Sequence, residues 1–272
     1  MKIAIMGTGG VRGYFGAKLA KGGNEVSFIA RGEHLDAIKA RGLTVKSPLG
    51  DMHVTAPRAT DRPSEIGPVD VVLFGVKLWD TKAAIDAIGP LIGPETVVIS
   101  LQNGVVEDEL LRAALGKGHV AGGVCYSAAT LQAPGVIEHA NNLQKLVFGE
   151  YDGRRSARLE HFYRACIHSG IDAAISDDIA CAIWEKFVFL VGLLGSTATT
   201  RCSIGEVRKN PASRRLLECM MQETVNVGRA EGVNLAADFA LDRLVFCDQL
   251  PEDMTASMSR DLERGNRLEL RG

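Results

Sequence analysis

A chain of 272 residues, 46% hydrophobic and 24% charged, has the composition of a water-soluble globular protein, with room for one large domain or two medium ones. Its formal net charge of -2 supplies no basic field for nucleic acid. The longest apolar stretch, Phe187 to Leu194, falls far short of the ~20 residues that span a bilayer, so no membrane partner is expected. With Met1-Lys2 running straight into an apolar segment no signal peptide is expected, and Cys125, Cys166, Cys181, Cys202, Cys219 and Cys247 form no Cys-x-x-Cys pair. They read as reduced thiols of a cytoplasmic protein, and the six histidines lack ligand spacing, so no metal is expected.

Taken in chain order, Lys2 to Met6 is a short strand that ends in glycine. Val11 to Lys21 has helical spacing, with Val11, Phe15, Leu19 and Ala20 on one side. Glu25 to Ala30 reads as a second strand and His34 to Arg41 as a short helix. Extended stretches follow near Leu43–Lys46 and His53–Ala56. The run from Asp70 to Val76 is a buried strand, Thr81 to Ile88 a helix, and Val97 to Leu101 another strand. Alternating helices and near-continuous apolar strands predict a parallel sheet covered by helices. After about residue 176 strand signals stop, and Ile179–Leu194, Ser213–Glu231 and Ala236–Phe246 carry helical periods. The predicted fold class is therefore α/β: an N-terminal parallel-sheet domain over residues 1–176 and an all-helical domain over residues 177–272.

The turn after the first strand carries chemistry. Gly7-Thr8-Gly9-Gly10-Val11-Arg12-Gly13 links a strand to an amphipathic helix, with a second strand within 30 residues. This is the context of a Rossmann-type dinucleotide fingerprint. Gly7 permits the tight turn, and Gly9 lets the backbone approach a pyrophosphate at the positive end of the helix. Thr8, Gly10 and Val11 belong to the same cofactor-binding turn. The third fingerprint position is Arg12 instead of glycine, and it faces either solvent or cofactor phosphates. Where an NAD enzyme carries Asp or Glu at the end of the second strand, this chain has Ala30-Arg31-Gly32. A guanidinium suits the 2′-phosphate of NADP, so NADP is the expected cofactor. Glu33, two residues on, is the opposing signal for NAD.

Three further positions suit a carbonyl reductase, which needs a proton donor and a positive field where charge builds on oxygen. Lys186 adjoins the apolar run Phe187-Val188-Phe189 and is poised for desolvation, although a helix lysine of this kind also snorkels to water. Asn103, in Leu101-Gln102-Asn103-Gly104, follows a strand whose carboxyl end faces the ligand crevice; a plain Asn-Gly turn is the other reading. Lys77, after Gly75-Val76, occupies the same kind of strand end.

Together these pieces resemble the ketopantoate reductase (2-dehydropantoate 2-reductase) family over nearly the whole chain. The resemblance rests on Gly7 to Gly16 ending Gly13-Tyr14-Phe15-Gly16, on Phe28-Ile29-Ala30-Arg31-Gly32, on Gly75-Val76-Lys77 and on Leu101 to Val105. It continues through Trp184-Glu185-Lys186, Ser257-Met258, Asp261 to Gly265 and Glu269. It implies NADPH-dependent reduction of 2-dehydropantoate to pantoate, on the route to pantothenate and coenzyme A. It also implies Lys186 as general acid, Asn103 on cofactor and substrate, Ser257 on the substrate carboxylate, and Glu269 near Lys186 and the cofactor ribose. Arg31 would hold the 2′-phosphate and Lys77 would lie beside the cofactor. A homodimer through the helical domain is implied on the same ground.

Two departures qualify the resemblance. The family's best-known type carries asparagines four and eight residues after the lysine, where this chain has Leu190 and Leu194; the spacing keeps them on the lysine's side and predicts an apolar pocket wall. Ser196, Thr197 and Thr199 are nearby polar candidates. The family also continues with another helix after the Glu269 region, so a C-terminally shortened chain is expected. Three readings follow: a ketopantoate reductase, a same-family reductase of another 2-keto acid, and a non-catalytic NADP(H)-binding sensor.

Overall fold

A computed structural model describes residues 1–269. Strands β1 (Lys2–Met6), β2 (Glu25–Ile29), β5 (Arg58–Thr60), β6 (Val71–Phe74) and β7 (Val97–Ser100) pair parallel throughout as one part of a ten-stranded sheet. The remaining strands are β3 (Leu43–Lys46), β4 (Met52–Val54), β8 (Val120–Ala133), β9 (Val136–Gly149) and β10 (Asp172–Ile175). The order is β4-β3-β9-β8-β7-β6-β1-β2-β5, with β10 beside β9. Helices α1 (Gly10–Lys21), α2 (Gly32–Arg41), α3 (Thr81–Ile88), α4 (Glu107–Leu115) and α5 (Ala157–His168) connect them. Ile3, Ile5, Phe28, Leu73 and Ile99 pack in one apolar cluster, whereas Ala4, Met6, Ile29, Val72, Phe74 and Val98 pack in another. Alternate residues of each strand therefore face opposite layers, and the strands read as unbroken apolar runs because both faces are covered.

The expected parallel sheet needs a correction at β8 and β9. These two strands pair antiparallel, with register shifts between Ser127 and Ala129 and between Leu131 and Ala133. The physical cause is the turn at Pro134-Gly135, where Gly135 has φ +79°; a connection this short joins antiparallel neighbours only. β3 and β4 also pair antiparallel.

Contacts divide the chain into two compact units. One holds Met1–Gln102 and Val106–Ile179; the other holds Asn103–Val105 and the chain from Ala180 onward. The second unit is helical: α6 (Ile179–Thr200), α7 (Ile204–Lys209), α8 (Pro211–Ala230), α9 (Phe239–Asp248) and α10 (Ser257–Glu263). α7 opens with a capping box between Ser203 and Glu206, and α8 with Asn210 accepting from the amides of Ala212 and Ser213 ahead of Pro211. α6 runs further than its apolar period suggests, to 22 residues. By length and a mean hydropathy of 1.7 it is apolar enough to cross a bilayer. It carries Glu185 and Lys186, however, and packs Val188 and Leu193 among Leu217, Met221 and Val225 of α8, as a core helix does.

Candidate active site and cofactor cradle

In the sheet unit the residues singled out from the sequence gather at the carboxyl ends of the strands. β1 ends at Met6, and Gly7 turns the chain with φ +91°. A Cβ at Gly7 would stand 2.9 Å from the Gly75 carbonyl oxygen, so only glycine suits this turn. The Thr8 amide and hydroxyl both donate to the Ile29 carbonyl, at 2.9 and 3.0 Å, which ties the turn to the end of β2. Gly10 lies against the next layer: a Cβ there would meet the Ala129 carbonyl oxygen of β8 at 2.3 Å.

Gly9 caps α1 without a side-chain hydrogen bond, and the first turn holds no acidic residue. The first intrahelical bond runs from the Gly13 amide to the Gly9 carbonyl, 2.8 Å. The amides of Gly10, Val11 and Arg12 therefore point out of the helix start, where the macrodipole adds positive potential. This cradle fits a phosphate group.

Arg12 is half-buried, and its side chain lies across the turn. A Cβ on Gly75 would come within 2.3 Å of its Nε and 2.8 Å of its Cζ, and one on Gly9 within 3.5 Å of an Nη atom. The guanidinium thus lies between the residues that follow β1 and β6, not out in solvent. Close helix–strand packing is met instead by Gly16, where a Cβ would stand 2.8 Å from both Ile5 and Phe28. That is why the fingerprint tolerates a bulky third residue.

Arg31 is exposed at the N-cap of α2, just past β2. Lys77 is exposed just past β6, with its Nζ 5.5 Å from the centre of the Trp79 ring. Reading strand ends selects Asn103 and overlooks its neighbour Gln102. Its amide Nε2 donates to the Val76 carbonyl at 3.0 Å and to the Thr81 hydroxyl at 2.8 Å, which ties the end of β7 to that of β6. Its Oε1 is buried with no hydrogen-bond partner among the described residues, an acceptor suited to a carboxamide N–H. The available signal was its position, one residue past Leu101 at the end of a buried strand.

In the helical unit Lys186 Nζ donates to Asn103 Oδ1 at 2.9 Å. An ammonium group only donates, so Asn103 must present its oxygen to it. One of three ammonium hydrogens is committed this way, which fixes the direction of the other two. Leu190 and Leu194 follow on the same helix, both half-buried, and Leu194 packs on the helical core. Of the polar candidates further along, two turn inward and the third, Thr199, is exposed. Ser196 and Thr197 are buried and donate to the Leu193 carbonyl, and Thr199 donates to that of Gly195. Thr197 also accepts from Ser259 at 3.0 Å. Ser257 is exposed as the first residue of α10, and Glu269 is half-buried at the end of the described chain.

Residues 3–153 match the ketopantoate reductase PanE/ApbA family, and residues 178–272 match its C-terminal domain. The chain belongs to the ketopantoate reductase family of oxidoreductases. A relative in Bacillus subtilis, the uncharacterized oxidoreductase YkpB, is 32% identical over 99% of this chain and 88% of its own length. The crystal structure of 2-dehydropantoate 2-reductase from Geobacter metallireducens superposes with a TM-score of 0.91 at 31% identity, covering 99% of this chain and 89% of that one. D-mandelate dehydrogenase, solved with NADH and anilino(oxo)acetate, shares the fold at 23% identity with a TM-score of 0.87, covering 99% of this chain and 88% of that one.

Proposed function

We propose that this family member uses NADPH to reduce a 2-keto acid to the 2-hydroxy acid, with 2-dehydropantoate as substrate and pantoate as product. The observation that carries the reading is the Lys186–Asn103 pair at 2.9 Å: a directed cation with donors left for a carbonyl oxygen. Residues 1–176 serve as the NADP-binding domain and residues 177–272 as the substrate and dimerisation domain. Gly7, Thr8, Gly9, Gly10 and Val11 form the phosphate cradle with Arg12, Arg31 takes the 2′-phosphate, and Lys77 lines the cofactor. The nicotinamide, when bound, supplies the hydride for the keto carbon. Lys186 polarises the keto oxygen and gives it a proton as charge develops there. Asn103 orients Lys186 and touches cofactor and substrate. Ser257 holds the substrate carboxylate, and Glu269 acts with Lys186 and the cofactor ribose.

A second reading concerns substrate choice. With Leu190 and Leu194 where hydrogen-bonding asparagines stand in the family's best-known type, a 2-keto acid with an apolar side chain meets no unpaired polar group on that wall.

The Lys186→Ala variant tests the general-acid role. It should lower kcat with ketopantoate by about 10²- to 10⁴-fold while leaving the dissociation constant for NADPH within about twofold. Unchanged turnover would remove Lys186 from the chemistry.

A further inference from the structure

The helical unit holds a cavity of about 270 Å³, lined by the end of α6, by α7 and by α10. Lys186, Asn103 and Ser257 are not on its wall. Thr197, which is, stands about 16 Å along α6 from Lys186. The volume lies below the ~300–1,000 Å³ of pockets for drug-sized ligands, so the cavity suits a small metabolite and is too small for a dinucleotide. We propose that it binds a small zwitterionic amino acid, at a site separate from the reaction centre. This site lies outside the keto-acid reduction and stands independently of it.

The wall carries both signs of charge. Arg201 supplies a guanidinium and Glu263 a carboxylate, and neither has a hydrogen bond or ion pair among the described residues. Glu206 adds a second carboxylate. Its Oε2 accepts from the Ser203 amide at 2.8 Å and from the Ser203 hydroxyl at 3.0 Å, which leaves Oε1 for a ligand. An α-carboxylate matches the Arg201 fork, and an α-ammonium matches the two carboxylates. A simple anion would meet two like charges, and a simple cation would meet the guanidinium. The complement is therefore a molecule that carries both charges. The buried wall agrees with this. Ser259 spends its one proton on Thr197 at 3.0 Å, and Thr197 spends its own on the Leu193 carbonyl at 2.6 Å. Ser259 Oγ thus keeps lone pairs to accept from an ammonium group.

Arg201 and Glu263 also hold positions that local structure disfavours. Arg201 has φ +56° just past the end of α6, where glycine is the usual occupant. Glu263 closes α10, where a negative side chain opposes the helix dipole. The helix ends account for neither residue, whereas a ligand that pairs with both charges accounts for the two together.

Calorimetry on the full-length protein with the common L-amino acids tests the site. Propionate and ethylamine, the two halves of L-alanine, serve as single-charge probes. At least one small amino acid should bind with a dissociation constant of about 1 mM or lower, and both single-charge probes about tenfold more weakly than that. Arg201→Asn removes the cation with a residue that tolerates the left-handed backbone, and Glu263→Gln removes the carboxylate at an exposed position. Each should weaken the amino acid about tenfold while unfolding at the parent's temperature. Lys186→Ala, which alters the reaction centre, should bind it within about twofold of the parent. Binding by no amino acid, or binding that survives both charge removals, would overturn the site. Loss of binding in Lys186→Ala would overturn its separation from the reaction centre.

Discussion

Asp108 offers a quantitative check on the packing beside the end of β7, where Ser100 precedes Gln102. It stands in the first turn of α4 and accepts a hydrogen bond from the Tyr151 hydroxyl. Arg112 lies over the Tyr151 ring, 4.3 Å from guanidinium carbon to ring centre. Burial pushes the Asp108 carboxyl up to about 6, outweighing hydrogen bonds from Tyr151 and Ser100 and the charge of Arg112. In the unfolded chain an aspartate titrates near ~3.9. The folded protein therefore holds this proton more tightly. Between about pH 4 and about pH 6 it binds more protons than the unfolded chain, so stability falls as pH rises through that window, and the whole penalty stands above pH 6. About two units at ~1.36 kcal/mol each give roughly 3 kcal/mol; residual solvent contact lowers this to about 1–3 kcal/mol. Asp108→Asn keeps an acceptor for Tyr151 and removes the titration. Urea unfolding of parent and variant at about pH 4.5 and about pH 7.5 isolates the difference. The variant's stability relative to the parent should improve by about 1–3 kcal/mol at the higher pH. A difference that stays flat across the window, or changes in the opposite direction, would refute the reasoning.

Two further outcomes bear on specificity. Arg31→Ala should weaken NADPH about tenfold and spare NADH, as read from the two dissociation constants; equal loss of both would defeat the 2′-phosphate assignment. Leu190→Asn combined with Leu194→Asn should raise kcat/KM for ketopantoate relative to a 2-keto acid with an unbranched apolar chain by about tenfold, and an unchanged ratio would show that this wall does not set substrate choice.

The turns that make up the proposed cofactor cradle were legible in the residues, because glycines and strand ends have local signatures. Gly7, Gly9, Arg31, Lys77 and Asn103 all fall on the turns that follow predicted strands, and α1, β2 and α3 lie within a residue or two of their expected bounds. The β8–β9 hairpin was less legible. Its outer half breaks the alternation with exposed runs at Thr130–Ala133 and Asn142–Leu143 and with two register shifts, which blurs the two-residue period, although Pro134-Gly135 suits a tight turn. The far end of α6 was hidden by Ser196, Thr197, Thr199 and Thr200, poor helix formers whose hydroxyls bond back to carbonyls of the preceding turn. The place of Arg12 could not be read at all, since it depends on which glycine of α1 meets β1 and β2. Only packing shows that Gly16 does so.

The central claim is that this ketopantoate reductase family member moves a hydride from NADPH to the keto carbon of 2-dehydropantoate. NADPH deuterated on the transferring face at C4, incubated with the protein and ketopantoate, tests it most directly. The account predicts cofactor oxidation matched by pantoate carrying one deuterium at C2, with the Lys186→Ala variant slow in both. Tight binding of NADPH without oxidation, or oxidation that leaves no label in the hydroxy acid, would contradict it.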